Sequence, residues 1–312
     1  MKIGIDIGGT KVAAGLVNEQ GEITHKIRVP MSAAGTPAAG FASVANAIEA
    51  VYTLAPEVRG SVTGIGLCAP GPLDPKTGVV LNPPNVPCWR GFPLAAETER
   101  AFGVPARLDN DANAAALAEV LWGSGLGYAN VFYATLGTGI GTGIILDGKI
   151  YHGRTGSAAE GGHMTIDYRG PRCGCGKFGC IEALASGPAI ALRARGKLAG
   201  GAASRMTELA GADEVRAEHV GQAFQEGDPL AKEVLDETAF LLTVWLGNIV
   251  DLLEPECMVV GGGVAQMMSP YFEEISRDLP RWAINQRACE IPLVMARYGA
   301  DAGIAGAGAI CR

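Results

Sequence analysis

The chain has 312 residues, 48% hydrophobic and 18% charged, with a formal net charge of −7. That length supports two domains of ordinary size with a substantial core, and the acidic balance offers no basic field for nucleic acid or an anionic membrane. Asp6 interrupts what would be the apolar region of an export signal, and Asn248 and Asp251 interrupt the longest apolar run, so neither a signal peptide nor a membrane span is expected and the expected setting is the cytoplasm.

In chain order, Lys2–Ile7 reads as a short apolar strand, Gly8-Gly9-Thr10 as a tight turn and Val12–Val17 as a second strand. A third runs from Ile23 to Val29. A helix over Pro37–Leu54 and a strand over Val62–Leu67 follow. An Ala-rich helix from Ala114 to Leu121 comes directly after Leu108-Asp109-Asn110-Asp111-Ala112-Asn113. Val131–Leu136, Gly137-Thr138-Gly139 and Ile140–Leu146 then repeat the opening pattern, continuing through Asp147-Gly148 into Lys149–Tyr151. A helix over Pro229–Leu253 precedes a strand over Cys257–Val260, and a last helix spans Asp301–Ile310. Two meanders, each opened by a Gly-Thr turn and each leading into helix and strand, describe a duplicated α/β fold with its two turns facing one cleft. The expected smaller domain covers 1–108 and is rejoined by 298–312; the larger covers 109–297.

The densest chemistry lies between Glu160 and Glu182. His163 with Cys173, Cys175 and Cys180 supplies four donors suited to a tetrahedral Zn²⁺, bracketed by the two carboxylates. A purely structural metal knuckle has no need of flanking acids, so this segment is expected to shape a polar binding pocket. The other five cysteines (Cys68, Cys88, Cys257, Cys289, Cys311) are scattered and expected to pack as small hydrophobes.

Three Gly-rich turns suit phosphate, which needs backbone N–H groups and no obstructing side chains. Asp6-Ile7-Gly8-Gly9-Thr10-Lys11 adds a hydroxyl, a cation and a carboxylate able to hold Mg²⁺. Gly137, Thr138 and Gly139 form the second turn, and Gly261, Gly262 and Gly263 follow the strand ending at Val260. Neither a Walker A sequence nor a dinucleotide fingerprint is present. Asn110 and Asp111 fall at a helix N-terminus, where the macrodipole favours an ionised carboxylate that can accept a proton from an alcohol. Helix capping accounts for one of these polar residues, not for the run.

Together with Ala69-Pro70-Gly71-Pro72-Leu73-Asp74 and Asn82-Pro83-Pro84-Asn85, these motifs make the chain resemble, over nearly its whole length, the ROK family of repressors, open reading frames and sugar kinases. The resemblance implies the actin-like ATPase (ribonuclease H-like) fold, with the zinc knuckle in the larger domain. It implies Asp111 as general base on a hexose hydroxyl, usually that on C6. Gly71, Asn85, Asn110, Glu160, His163 and Glu182 would surround the sugar, with His163 shared between sugar and Zn²⁺. Asp6, Gly8, Gly9, Thr10, Lys11, Gly137, Thr138, Gly139 and Gly261–Gly263 would serve Mg-ATP. Family repressors carry an N-terminal helix-turn-helix module before this region. Here the first phosphate turn lies within ten residues of Met1, so an ATP-dependent hexose kinase is expected over a non-catalytic sugar-sensing regulator. Glucose is the expected substrate, with fructose, mannose, allose or an N-acetylhexosamine as alternatives. The apolar breadth of Thr238–Leu253 and the family resemblance point to a homodimer or tetramer.

Overall fold

The computed structural model describes residues 1–312. The elements, in order, are β1 (Lys2–Ile7), β2 (Lys11–Val17), β3 (Ile23–Pro30), α1 (Pro37–Leu54), β4 (Ile65–Ala69), β5 (Leu73–Asp74), β6 (Val79–Val80), α2 (Leu94–Phe102), β7 (Ala106–Asn110), α3 (Asp111–Trp122), β8 (Val131–Leu136), β9 (Ile140–Leu146) and β10 (Lys149–Ile150). They continue with α4 (Ile181–Ala185), α5 (Gly187–Leu198), α6 (Arg205–Ala210), α7 (Ala217–Gln225), α8 (Pro229–Leu253), β11 (Cys257–Gly261), α9 (Gly263–Met268), α10 (Phe272–Asp278), β12 (Leu293–Met295) and α11 (Ala302–Ile310). No helix is long and apolar enough to cross a membrane.

Two five-stranded sheets share one plan. The first has the order β3-β2-β1-β4-β7 and the second β10-β9-β8-β11-β12. In the first, β1 pairs antiparallel with β2 and parallel with β4, and β4 pairs parallel with β7. The matching order is the duplication that the repeated Gly-Thr turns foretell. Contacts divide the chain into two compact units: 1–133, 143–159 and 296–312 form the first, and 134–142 and 160–295 the second. The first unit reaches past residue 108, the boundary read from the sequence, because α11 packs along α3.

Local signals fix the helices. Thr36 Oγ1 caps α1 by accepting from Ala39 N–H at 3.2 Å, and Pro37 occupies the first turn, where its missing N–H costs nothing. Asp228 caps α8 in the same way, accepting from Ala231 N–H at 2.8 Å ahead of Pro229. The strand expected over Val62–Leu67 is observed as Ile65–Ala69, because pairing with β1 starts at Ile3↔Ile65.

In the first unit, one face of the sheet buries Ile3, Ile5, Ile7, Ile65, Leu67 and Leu108 against Val44, Ile48 and Val51 of α1 and against Trp89. The other face is built by close approach. A Cβ on Gly66 would lie 1.6 Å from Ala307 O, one on Gly4 2.1 Å from Ile304 O, and one on Gly306 2.5 Å from the Ala114 carbonyl carbon. Alpha-helix α11 therefore lies backbone to backbone on β1, β4 and α3, a distance that only glycine permits. In the second unit α4, α5, α7 and α10 pack on α8, whose Leu242, Trp245, Leu246 and Ile249 are buried. Phe240 and Leu252 of the same helix stay exposed, with Phe240 edge-on to Trp282 at 5.4 Å.

Gly66→Ala is expected to destabilise the protein by about 3 kcal/mol or more, since backbone and not a flexible side chain must move. Gly60→Ala, with nothing within 4 Å of the new methyl, is expected to stay within about 0.5 kcal/mol of the parent. Denaturant unfolding of the two variants checks this contrast.

Candidate active site and metal centre

The chain turns from β7 directly into α3, with Asn110 closing the strand and Asp111 opening the helix. Asn110 Oδ1 caps the helix by accepting from the N–H groups of Ala112 (2.9 Å) and Asn113 (3.2 Å). Asp111 Oδ1 accepts from Ala112 N–H at 2.8 Å. The Asp111 side chain keeps an open face to solvent, but protein crowds it on the other sides. That desolvation pushes its pKa up to about 6; the negative charge of Asp6 adds to the rise, while the Ala112 N–H and Asn110 oppose it.

Asp6 lies two strands away in the same sheet. Its own pKa is raised by burial, opposed by the Cys68 thiol and by the charges of Lys11 and Arg28. Asp6 raises the pKa of Asp111, and two such carboxylates beside a Gly turn bearing Lys11 fit a divalent cation, which would relieve that repulsion. The turn itself is closed by Gly8 N–H donating to Lys11 O at 2.9 Å. A Cβ on Gly9 would sit 2.8 Å from Asn85 O, and one on Gly71 3.9 Å from Asn110 Nδ2. The first unit thus gathers Asp6, Gly8, Gly9, Gly71, Asn85, Asn110 and Asp111 in one region.

Two further residues support this corner. Asp109 is 4% exposed; its Oδ1 accepts from Asn110 N–H at 2.8 Å and from Asn113 Nδ2 at 3.4 Å, and its Oδ2 lies 2.7 Å from His152 Nε2. Nothing local in the sequence links His152 to Asp109. Cys68 is not the passive small hydrophobe expected: its thiol lies 3.2 Å from Gly303 O and 3.7 Å from Asp6 Oδ1, and burial drives its pKa well up. Cys289 also departs from that expectation, being exposed, whereas Cys257 is buried as anticipated.

In the second unit, the metal-ligand set is assembled. One donor atom from each of His163, Cys173, Cys175 and Cys180 lies within 4.8 Å of all the others. Cys175 Sγ and Cys180 Sγ are 3.7 Å apart, and His163 Nδ1 is 3.6 Å from Cys173 Sγ. Ligands of a tetrahedral zinc at the usual bond lengths stand about 3.6–3.8 Å apart, so the cluster could hold that ion. The loop is shaped for it: Cys173 N–H donates to Lys177 O, Gly176 N–H to Cys173 O, and Gly179 (φ +60°) has no room for a Cβ, which would meet Asp167 O at 1.5 Å.

Three contacts tie this knuckle to the second Gly-rich turn. Glu182 Oε2 accepts from Ile140 N–H at 2.9 Å, Thr142 Oγ1 accepts from Gly161 N–H at 2.8 Å, and Gly162 packs where a Cβ would be 1.9 Å from Ile140 O. Trp245 Nε1–H, buried in α8, donates to Gly161 O at 3.1 Å. Glu160 is exposed at the start of this segment, with its carbonyl accepting from His163 N–H. Gly137 and Thr138 line a cavity of about 1270 Å³ with Gly187, Gly263, Arg195 and Arg216. Gly262 adopts φ +92° against Leu136 O, and Gly261 ends β11 beside it. Glu218 and Glu226 line the same cavity and balance the two arginines, so its charge is mixed, while its volume is enough for a ligand of nucleotide size.

Comparison with known proteins agrees with these features. The family model described as "ROK family" matches residues 2–312. A glucokinase of Streptomyces coelicolor is 34% identical over 320 residues, spanning 100% of this chain and 98% of that protein. An N-acetylmannosamine kinase of Escherichia fergusonii is 33% identical, spanning 98% and 96%. The crystal structure of a ROK family glucokinase from Streptomyces griseus, in complex with glucose and AMPPNP, superposes with a TM-score of 0.83 at 34% identity, covering 99% of this chain and 98% of that one. Its sheet plan, Gly-rich turns and Cys/His knuckle, matched from end to end by the family model, make this chain a member of the ROK family, of the actin-like ATPase fold.

Proposed function

We propose that the chain is an ATP-dependent hexose kinase acting first on glucose, giving glucose 6-phosphate and ADP. The sugar-kinase part of this reading is supported by the kinase relatives that match its full length. The observation that carries it is Asp111, a carboxylate at a helix N-terminus with a pKa raised to about 6. A base tuned this way is mostly ionised at neutral pH yet basic enough to take a hydroxyl proton.

Asp111 accepts the proton of the sugar C6 hydroxyl as that oxygen bonds to the γ-phosphorus and the bond to the ADP oxygen breaks. Phosphoryl transfer depends on alignment and charge neutralisation more than on covalent chemistry. On the family resemblance, Gly71, Asn85, Asn110, Glu160, His163 and Glu182 are assigned to the sugar. Gly8, Gly9, Thr10 and Lys11, with Gly137–Gly139 and Gly261–Gly263, are assigned to the nucleotide, whose Mg²⁺ would lie by Asp6 and supply charge neutralisation. His163 turns Nδ1 towards the thiols, which leaves Nε2 for a sugar hydroxyl. With four protein ligands the zinc is structural; its role is to hold the loop between His163 and Glu182. The exposed Phe240 and Leu252 support a homodimer through α8.

Three outcomes are expected. Coupled ADP-release assays with Mg-ATP across the hexoses and N-acetylhexosamines should find turnover highest with glucose, and Asp111→Asn should lower kcat about 10²–10⁴-fold; undiminished turnover in that variant would remove the proposed base. The required form of Asp111 is the ionised one, so kcat/KM should be nearly full above about pH 7, half-maximal near pH 6, and fall towards tenfold per unit below about pH 5. Elemental analysis should find one zinc per chain, lost in Cys180→Ser together with at least a tenfold rise in sugar KM, on the order of effects seen when a metal's supporting ligands are removed.

A further inference from the structure

We propose that His152 is a positioning residue that acts through Asp109 to fix the strand-to-helix corner carrying Asn110 and Asp111. The proposal rests on the reading of Asp111 as the base. Beta-strand β7 and α3 meet with no intervening loop, so the corner must be held by side chains. Asp109 does this with Oδ1, which takes the Asn110 N–H and the Asn113 side-chain amide. Asn113 Oδ1 is buried without a partner, so the orientation of that amide depends on Asp109. The other carboxylate oxygen of Asp109 faces His152 Nε2 at 2.7 Å. A buried carboxylate held on one side only could rotate, and its rotation would release both the Asn110 N–H and Asn113.

Geometry confines this effect to the catalytic corner. His152 lies in the segment after β10, 43 positions from Asp109 in sequence, and its hydrogen bonds run to Asp109 and, through its carbonyl, to Ala158 N–H, away from the Gly-rich turns and the knuckle. It borders a pocket of about 480 Å³ with Lys76, Arg107 and Lys149, in which Asp109 is the one carboxylate. These cations, from the β5–β6 turn, β7 and β10, are the other charged residues lining the pocket. The pocket opens to solvent, so removing the imidazole admits water and leaves no sealed void. Water would solvate Asp109 without holding it in a fixed orientation.

The test compares His152→Ala with His152→Gln, whose amide nitrogen can reach the position of Nε2. In His152→Ala, kcat is expected to fall more than tenfold while KM for ATP stays within twofold; His152→Gln should recover to within threefold of the parent. By NMR, the Asn110 amide should exchange at least tenfold faster in His152→Ala, with Leu67 unchanged, and protection should return in His152→Gln. A His152→Ala variant with kcat within twofold of the parent, an Asn110 amide as protected as in the parent, or a Gln variant no better than Ala would each overturn the proposal. If the unmodified protein transfers no phosphate to any sugar, the kinase reading fails, and the Asn110 exchange then decides the role of His152 without it.

Discussion

The close approach of α11 to β1, β4 and α3 is the constraint from which the Asn110–Asp111 corner follows. Backbone contact at Gly4, Gly66 and Gly306 draws α3 against the sheet, and this sets the N-terminus of α3 beside the C-terminal ends of the parallel strands. Asp6, Cys68 and Asp109 lie side by side there, on paired positions of three neighbouring strands. Gly303 extends the same logic: a Cβ at that position would strike the Asp6 carboxyl at 2.3–2.7 Å. The charge of Asp6, which adds to the raised pKa of Asp111, is thus brought there by helix packing and not by local sequence.

The second unit is organised around a different economy. Its knuckle gathers four donor atoms within 4.8 Å, a set that could hold a zinc ion. That gathering fixes Gly161, Gly162 and Glu182, which in turn hold Ile140 and Thr142 at the end of the second Gly-rich turn. Glu182 therefore belongs to two structures at once, with one oxygen on the Ile140 N–H and the other 3.8 Å from His163 Nδ1. The Cys/His cluster and the Gly137–Gly139 turn are mechanically joined through one carboxylate.

What could be read from the sequence was local. The Cys/His set is contained in eighteen residues, the cap at Asn110 precedes its helix directly, and the Gly-Thr turns sit between recognisable strands. Helices α1 and α8 begin and end where their Thr-Pro and Asp-Pro caps and apolar faces place them. The duplicated sheet order followed from repeated short patterns. Contacts made across long sequence separations were not legible: His152 with Asp109, Glu182 with Ile140, and Cys68 with Asp6. A lone histidine after a turn carries no mark of its partner, and Cys68 reads as a core residue until the strand register puts it beside a carboxylate. The start of β4 was misjudged for a similar reason, since its pairing with β1 and not its own composition decides where it begins.

The position of α11 in the sequence has a consequence for how the chain is made. Strands β1, β2 and β4 emerge early from the ribosome, but the helix that covers their second face is translated after the whole second unit. Until then Gly4 and Gly66 look out from an uncovered sheet face, and the Asp6–Asp111 corner lacks its support. The first unit cannot finish folding in the order of its synthesis, as N-terminal domains commonly do. Nascent chains must keep that bare sheet soluble through most of translation, so a pause or truncation late in the message would yield a sheet with an open face in place of a smaller enzyme.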